Sequence, residues 1–567
     1  MSSGMRPRLE PVFRAREKIL IKPMIEFLSD APVGPERFDL PGATVWIEGH
    51  VKGRDIESVA REATRQTRDS LASWLDRLDG HFRLVVQFDD HGFAAVDPVR
   101  SYPLVWAATE TGAAVSHYGP AMEARQGLSP ADFDGDMLAA VALSGFTIGD
   151  ATLYRGVTQL GPGSYLWVDE TGPSVGRYYR WEPWRPPTEH DAGSLIDELS
   201  ALHRRLIEDL IEGVGGRPIL VPISAGLDSR FVASGLKEAG YDNVQCVSYG
   251  ISGNRDAEIG QTIAARLGFP WSFVPYSNAV LARIFGDPDY RRYMAYSDSL
   301  TGMHFPQEYR MLSHLRRQGA LPEDAVVVNG QSGDFIAGNH IPESLFDPTG
   351  TLEQRLDRIV QALIEKHFKH WRSLRTPDRM AAIDRLLRRS IASLNVWPVD
   401  PGRDHGVYEY VEYQDRQSKY VVNGQRVYEY FGLAWRLPLW ERAYLNFWET
   451  APLAAKKGET LYKTVLERDN WGGVWRDVPV NPARIRPAWI RPLRFAAKVL
   501  HGPHGRERWH QSEKRYFDYW MTPTCNYAAW PYHKVARDRR GHYSPSGWHI
   551  ESYLNDKGAN WDGSVSA

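Results

Sequence analysis

Residues 219–240, "ILVPISAGLDSRFVASGLKEAG", limit what this chain can fold into more than any other stretch. An apolar run stops at Ile223, and small and hydroxyl residues follow with one lone aspartate. A helical pattern then begins at Arg230 and closes on Gly240. A strand that feeds a helix through so short a turn is a building block of parallel sheets. The same grammar continues downstream. Residues 244–251 read as a strand, and 256–267 as a helix with Ile259, Ile263 and Leu267 on one face and Gly268 at its end. Residues 271–276 read as a strand, 307–317 as a helix and 325–328 as a fourth strand. Beyond Gly338 the pattern turns mainly helical and aromatic. The expectation is an α/β domain on a parallel, doubly wound sheet with a helical C-terminal part.

The first third follows a different rule. Residues 43–51 and 82–98 carry short strand-like runs, the second broken at Asp89-Asp90-His91-Gly92, where Gly92 is available for positive φ. Two further hairpins turn at Gly112 and Gly172, and a helix over 57–77 separates the runs. This is the pattern of an α+β domain with helices packed on antiparallel sheets. Around 181–191 prolines and charges replace periodicity, which marks a linker. The expected division is 1–185, 186–480, and a basic, aromatic extension of the second domain over 481–567.

A chain of 567 residues exceeds what one core supports, which agrees with that division. A net charge of −2 argues against a nucleic-acid binder. With only Cys246 and Cys525, neither a disulfide framework nor a cysteine zinc site is expected. No apolar run is long enough to span a bilayer, and the N-terminus lacks the apolar centre of a signal peptide. A cytoplasmic location is the resulting expectation. The 20 tryptophans and 27 tyrosines read as a large aromatic core. The basic tract 484–510 reads as a solvated helical face. Its His501, His504 and His510 lack metal-site spacing, and no metal is assigned to them.

Ligands of open parallel sheets bind beyond the carboxyl ends of the strands, where residues 224–229 fall. Backbone N–H groups at a helix start attract anions, serine hydroxyls add donors, and Gly226 lets the backbone come close. A carboxylate there would repel phosphate, so Asp228 makes sense mainly if it holds magnesium between them. The bland alternative is an ordinary turn in which Asp228 and Ser229 cap the helix. A second stretch, "VVVNGQSGDFIAGNH" over 326–340, again ends a strand in glycines and a lone aspartate, Asp334. Two such strand ends could grip a triphosphate's magnesium from both sides.

These residues resemble a known family. "SAGLDS" looks like the pyrophosphate loop of the ATP pyrophosphatases, specifically the synthetase domain of asparagine synthetases, and "NGQSGDFIAG" is similar to that family's second nucleotide loop. "EYFGLAWRLPLWERAYLNF" resembles its Glu-x-Arg-Val-Pro-Phe-Leu-Asp segment, with Arg436, Pro438 and Glu441 in the matching places. "ETLYKTVLERD" resembles the helix that follows and puts Lys463 on its lysine. Residues 78–107 and 153–168 resemble, more loosely, the family's glutaminase domain. The resemblance implies an Ntn-type sandwich followed by a HUP-like ATP-pyrophosphatase domain. It also implies ATP and magnesium as cofactors, with the nucleotide on Ser224, Gly226, Asp228, Ser229, Val247, Ser248, Tyr249 and Gly330. Asp228 and Asp334 would be the metal ligands.

The pattern breaks in informative places. Ser2 stands where the family has its N-terminal cysteine nucleophile, and a hydroxyl is a far weaker nucleophile. Glu48 replaces an asparagine that helps hold the oxyanion, where a carboxylate would repel it. The first domain is therefore expected not to hydrolyse glutamine. Gln331 stands where the family has a glutamate thought to help deprotonate the amine, and an amide cannot be a base. Glu441 is one candidate to replace it, and Arg484 or Arg486 to supply the cation expected downstream of Lys463. Such departures resemble β-lactam synthetases, lasso-peptide cyclases and, most of all, the asparagine-synthetase-like proteins of polysaccharide gene clusters. The expected activity is an ATP-dependent, AMP-forming ligase joining a small or carrier-linked carboxylate to ammonia or an amine. A glutamine-hydrolysing asparagine synthetase and a non-catalytic scaffold are the alternatives.

Overall fold

The computed structural model describes residues 24–188, 192–306, 308–322, 324–481, 484–501, 503 and 505–561. Ser2 and His504 lie outside the described residues. The N-terminal strands are β1 (Met24–Leu28), β2 (Glu36–Leu40), β3 (Ala43–Val51), β4 (Gly80–Phe88) and β5 (Gly92–Val96). They continue as β6 (Val105–Thr109), β7 (Gly112–Ser116), β8 (Thr158–Gln159), β9 (Ser164–Asp169) and β10 (Gly172–Arg177). Two sheets form, ordered β10-β9-β5-β4-β3-β2 and β1-β7-β6-β8.

Strand periodicity sorts their side chains into layers. Val85, Ala94, Val96 and Leu166 of the larger sheet meet Ile25, Ala113 and Val115 of the smaller one. On the larger sheet's other face Val45, Ile47, Phe82 and Leu84 bury the helices Ile56–Ala63 and Arg68–Leu75. Val105, Ala107 and Ala114 on the smaller sheet's outer face take Met122 and Val141 from the helices Gly119–Gln126 and Gly135–Ser144. The result is helices, sheet, sheet, helices, which is the sandwich that the first third's pattern predicts.

Two details differ from the sequence reading. The helix over 57–77 is two helices, because Thr67 stops the first and starts the second by a reciprocal capping box with Ser70. Gly92 does not take positive φ. A Cβ there would lie 2.7 Å from the Val86 carbonyl oxygen and 3.2 Å from Ile25, so glycine serves the close approach of β1.

In the second domain, strands β11 (Ile219–Pro222), β12 (Val244–Ile251), β13 (Trp271–Tyr276), β14 (Val326–Val328) and β15 (Ala434–Arg436) form one parallel sheet. Their order is β13-β12-β11-β14-β15. The chain leaves β11 to one side for β12 and β13 and returns to its other side for β14. The strand order therefore reverses between β11 and β14, and ligands of such sheets bind at that reversal. Helices Asp228–Glu238 and Arg255–Leu267 follow β11 and β12, as the patterning predicts.

The stretch 481–567, expected as an extension of the second domain, also returns to the first. Trp548, Ile550 and Leu554 of helix Pro545–Asp556 share a core with Met122 and Val141. Lys557 closes that contact with ion pairs of 2.5 Å to Glu123 and to Asp298. Trp181, Trp371, Trp435, Trp440, Trp448 and Trp548 are fully buried, so much of the aromatic content goes into core.

Candidate active site

The carboxyl ends of β11 and β14 open into a cavity of about 640 Å³. Ser224, Gly226, Asp228 and Ser229 border it from the first loop, and Gly330, Gln331 and Asp334 from the second. The first loop is tied by hydroxyls. Ser224 and Ser229 bring their Oγ atoms to 3.2 Å, and the Gly226 N–H donates to Ser224 Oγ at 3.2 Å. Helix Asp228–Glu238 begins on this loop, so its first N–H groups have no partner within the helix and face the cavity end.

The second loop turns through Ser332, whose φ of 69° is a left-handed conformation that few residues other than glycine adopt. Ser332 Oγ donates to Gln417 at 2.8 Å, which helps hold it there. Glycines let the two loops touch. A Cβ on Gly330 would lie 2.4 Å from the Asp228 carbonyl, and one on Gly333 would lie 2.6 Å from Asp228 Oδ1. The Asp334 N–H donates to Asp228 Oδ2 at 3.3 Å. The Tyr462 hydroxyl donates to the other oxygen, also at 3.3 Å.

Two carboxylates thus meet in one cavity. Burial, reinforced by the neighbouring Asp334 charge, pushes the Asp228 carboxyl well above its usual range. Burial opposes the charge of Asp334 as well, but His340 outweighs it and holds that carboxyl low. His340 Nε2 stands 3.6 Å from Asp334, and its Nδ1 is 2.5 Å from Glu412. Glu412 is fully buried among Lys366, His367 and Tyr408. This chain fixes Asp334 in the charged form. Among the described residues no lysine or arginine ion-pairs with Asp228 or Asp334; His340 balances Asp334, and Asp228 has no ion-pair partner. Two carboxyl groups from separate loops suit a hard divalent cation, whose charge would draw Asp228 into its ionised form.

Residues 205–468 match the family model described as asparagine synthase. The match spans 264 of the chain's 567 residues, a little under half, and both aspartate loops fall within it. No curated protein matches the chain. Among solved structures, glutamine phosphoribosylpyrophosphate amidotransferase from B. subtilis, complexed with ADP and GMP, overlaps 52% of this chain and 64% of its own at 10% identity and a TM-score of 0.18. A structure titled the allosteric regulatory enzyme of purine biosynthesis overlaps 53% of this chain and 58% of its own at 13% identity and a TM-score of 0.18. The chain thus spans less than two thirds of either structure.

Other residues singled out by sequence lie in and around the cavity. Ser248 and Tyr249 border the cavity, while Val247 is buried inside β12. Lys463 stands at the rim, donating to the Gly458 carbonyl at 2.9 Å and pairing with Glu459 at 3.0 Å. Gln331 borders the cavity, its side-chain oxygen accepting from Gln425 at 2.7 Å. Arg484 pairs with Glu258 at 2.8 Å outside the cavity, and Arg486 stands 4.0 Å from the same glutamate.

The structure does not bring Glu441 here. It lines a different cavity, at the seam between the domains, with His50, Lys52, Asp209 and Arg436. Glu441, His50 and His81 each bring one donor atom within 4.8 Å of the others. Arg436 and Lys52 border the same space, and their charges oppose a cation there. Sequence reasoning missed Tyr462, His340 and Glu308. Glu308 borders the strand-end cavity from its far wall, where the Tyr249 and Tyr428 hydroxyls donate to it. Burial raises its carboxyl above the ordinary 4.5.

Proposed function

We propose that this chain is an AMP-forming ligase that adenylates a substrate carboxylate and passes the acyl group to ammonia or an amine. One observation supports this above all: Asp228 and Asp334 converge at the sheet's reversal point, and among the described residues no lysine or arginine pairs with either. Magnesium, held there by Asp228 and Asp334, would neutralise the triphosphate and its departing pyrophosphate. Ser224, Ser229 and the start of helix Asp228–Glu238 donate to phosphate oxygens, and Lys463 adds positive charge at the rim. Gly330 leaves room for the base beside Ser248 and Tyr249.

In the second half-reaction the amine attacks the activated carbonyl and must lose a proton. Gln331 cannot take it. Glu308 is placed to take it, because burial raises its carboxyl and two tyrosines fix its orientation. Glu308 therefore takes the role that the sequence reading offered to Glu441.

The first domain does not hydrolyse glutamine in this reading. Glu48 ion-pairs with Arg83, so the place of a neutral oxyanion donor holds a paired charge. The acceptor is a uronate-bearing or larger carboxylate in preference to aspartate. ATP–pyrophosphate exchange against a panel of carboxylic acids, with glutamine present in one arm, tests all of this. The expected result is magnesium-dependent exchange with a larger carboxylate and no glutamate release. ADP as the product, or asparagine formed from aspartate, overturns the reading.

A further inference from the structure

Helix Ile490–His501 is turned inside out for a surface helix. An amphipathic surface helix ordinarily buries its apolar stripe and shows its charges. Here the inward face carries Ile490, which is 1% exposed, and Arg494, which ion-pairs with Glu513 and lies 5.3 Å over the Trp509 ring. The outward face carries Leu493, Phe495, Val499 and Leu500, with Trp489 one residue before the helix. These five side chains are 53% to 71% exposed, and only six other large hydrophobic residues among the described ones are exposed at all. Successive helical residues turn by about 100°, which puts Phe495 and Val499 about 140° and 180° round from Ile490 and Leu500 and Leu493 about 280° and 300°, so the exposed apolar side chains bound an arc of about 160° that faces away from Arg494. Arg491 and Lys498 stand at one edge of this apolar face, without an ion-pair partner among the described residues.

The surrounding charge is one-sided. Between Arg484 and Arg515 the sequence holds nine lysines or arginines against two glutamates. The helix Arg506–Tyr516 lies against this one, and its far side borders a cavity of about 470 Å³ with Lys369, Arg372, Lys514 and Arg539. The solvated basic face expected from sequence is thus a basic surround to an exposed apolar face.

We infer that helix Ile490–His501 docks the protein onto an anionic lipid bilayer, lying in the plane of its surface. No described helix is long and apolar enough to cross a membrane, so the contact is peripheral. The helix is about 18 Å long and seats its apolar side chains at the boundary between headgroups and acyl chains. Arg491, Lys498 and the neighbouring cations meet the headgroup phosphates. A protein partner would have to match this apolar arc in shape, whereas a bilayer accepts it as it is and the positive surround selects an anionic one. None of these residues borders the nucleotide cavity, so the inference does not depend on the proposed reaction.

Sedimentation of the full chain with vesicles tests it, using phosphatidylcholine alone or with about one third phosphatidylglycerol. Binding is expected to the mixed vesicles only, and to weaken as salt rises. The double variants Phe495→Ser/Leu500→Ser and Arg491→Glu/Lys498→Glu should each lower the partition by about tenfold or more. These side chains are exposed, so the thermal midpoint should stay unchanged, which separates lost docking from lost fold. Absence of binding, or binding equal in all three proteins, overturns the inference. So does a dimer that the serine variants convert to monomer without any vesicle binding, since the face would then cover a second copy.

Discussion

At the seam between the domains, Glu48 meets the Arg83 guanidinium, and beside it Arg426 pairs with Glu429 at 3.4 Å. At the strand ends, Asp228 and Asp334 face each other with no lysine or arginine between them. Both places gather carboxylates, but the first pairs each with an arginine, whereas the second leaves Asp228 without an ion-pair partner among the described residues and gives Asp334 only His340. A paired charge has nothing left to offer a ligand, and its energy goes into holding the domains in register. A carboxyl raised by burial and a like neighbour in an open cavity is a cost that a bound cation would relieve, and perturbed carboxyls of that kind mark functional sites. Glu48, which sequence places at a former oxyanion site, belongs to the first class.

The comparison breaks most sharply at Arg83. Its side chain is 1% exposed and lies 5.6 Å over the Tyr102 ring. Arg83→Met leaves Glu48 buried beside Glu429 with one cation fewer. Removing one partner of a buried pair costs about 3–5 kcal/mol, which a urea unfolding midpoint would read. Restoring neutrality with Arg83→Met/Glu48→Gln should recover most of the loss. An unchanged midpoint in the single variant would mean that the seam charges do no structural work.

The strand-end pair should behave in the opposite sense. Asp228→Asn removes a charge that burial and Asp334 both oppose, so the unfolding midpoint should hold or rise. Pyrophosphate exchange should fall by roughly 10²–10³-fold, the cost of one preorganised electrostatic group. A variant that loses stability and keeps its exchange would place Asp228 among the structural carboxylates.

How much of this was legible in the sequence depended on how local the cause was. The bounds 43–51 and 244–251 of β3 and β12 were readable because alternation and nearby glycines set them. β1 was not, since it pairs in parallel with β7, whose residues lie 88 positions away in register. β15 is three residues long and is a strand only because β14 lies beside it. Both aspartate loops stood out as lone carboxylates among glycines. Tyr462 and Glu308 gave no such signal, because only the fold brings them to Asp228 and to the cavity, and His340, though close to Asp334 in sequence, lacked a spacing that marks its role. Glu441 shows the converse error: motif order put it in a catalytic segment, and the fold turned it toward the other domain.

Glu441 also offers the finest discrimination between the two kinds of site. Its side chain is 13% exposed, and its carboxyl is pushed from 4.5 to about 7. Burial is the largest cause and the Asp79 charge the next, while Lys52, 4.0 Å away, works in the opposite direction. Below pH 4.5 the group is protonated in both folded and unfolded chains and contributes nothing to pH dependence. Between 4.5 and about 7 the unfolded chain ionises while the folded one keeps its proton, so stability declines as pH rises. Above 7 the penalty is complete, at about 3 kcal/mol. Glu441→Gln carries no such penalty. The variant should unfold at higher urea than the parent at pH 8, by up to about 3 kcal/mol, with the gap closing by pH 4. Its pyrophosphate exchange should keep the parent's pH profile, because the proposed base, Glu308, lies in the other cavity. A midpoint difference constant across that range would show that Glu441 stays ionised at the seam, and lost turnover without any gain in stability would return it to the catalytic set.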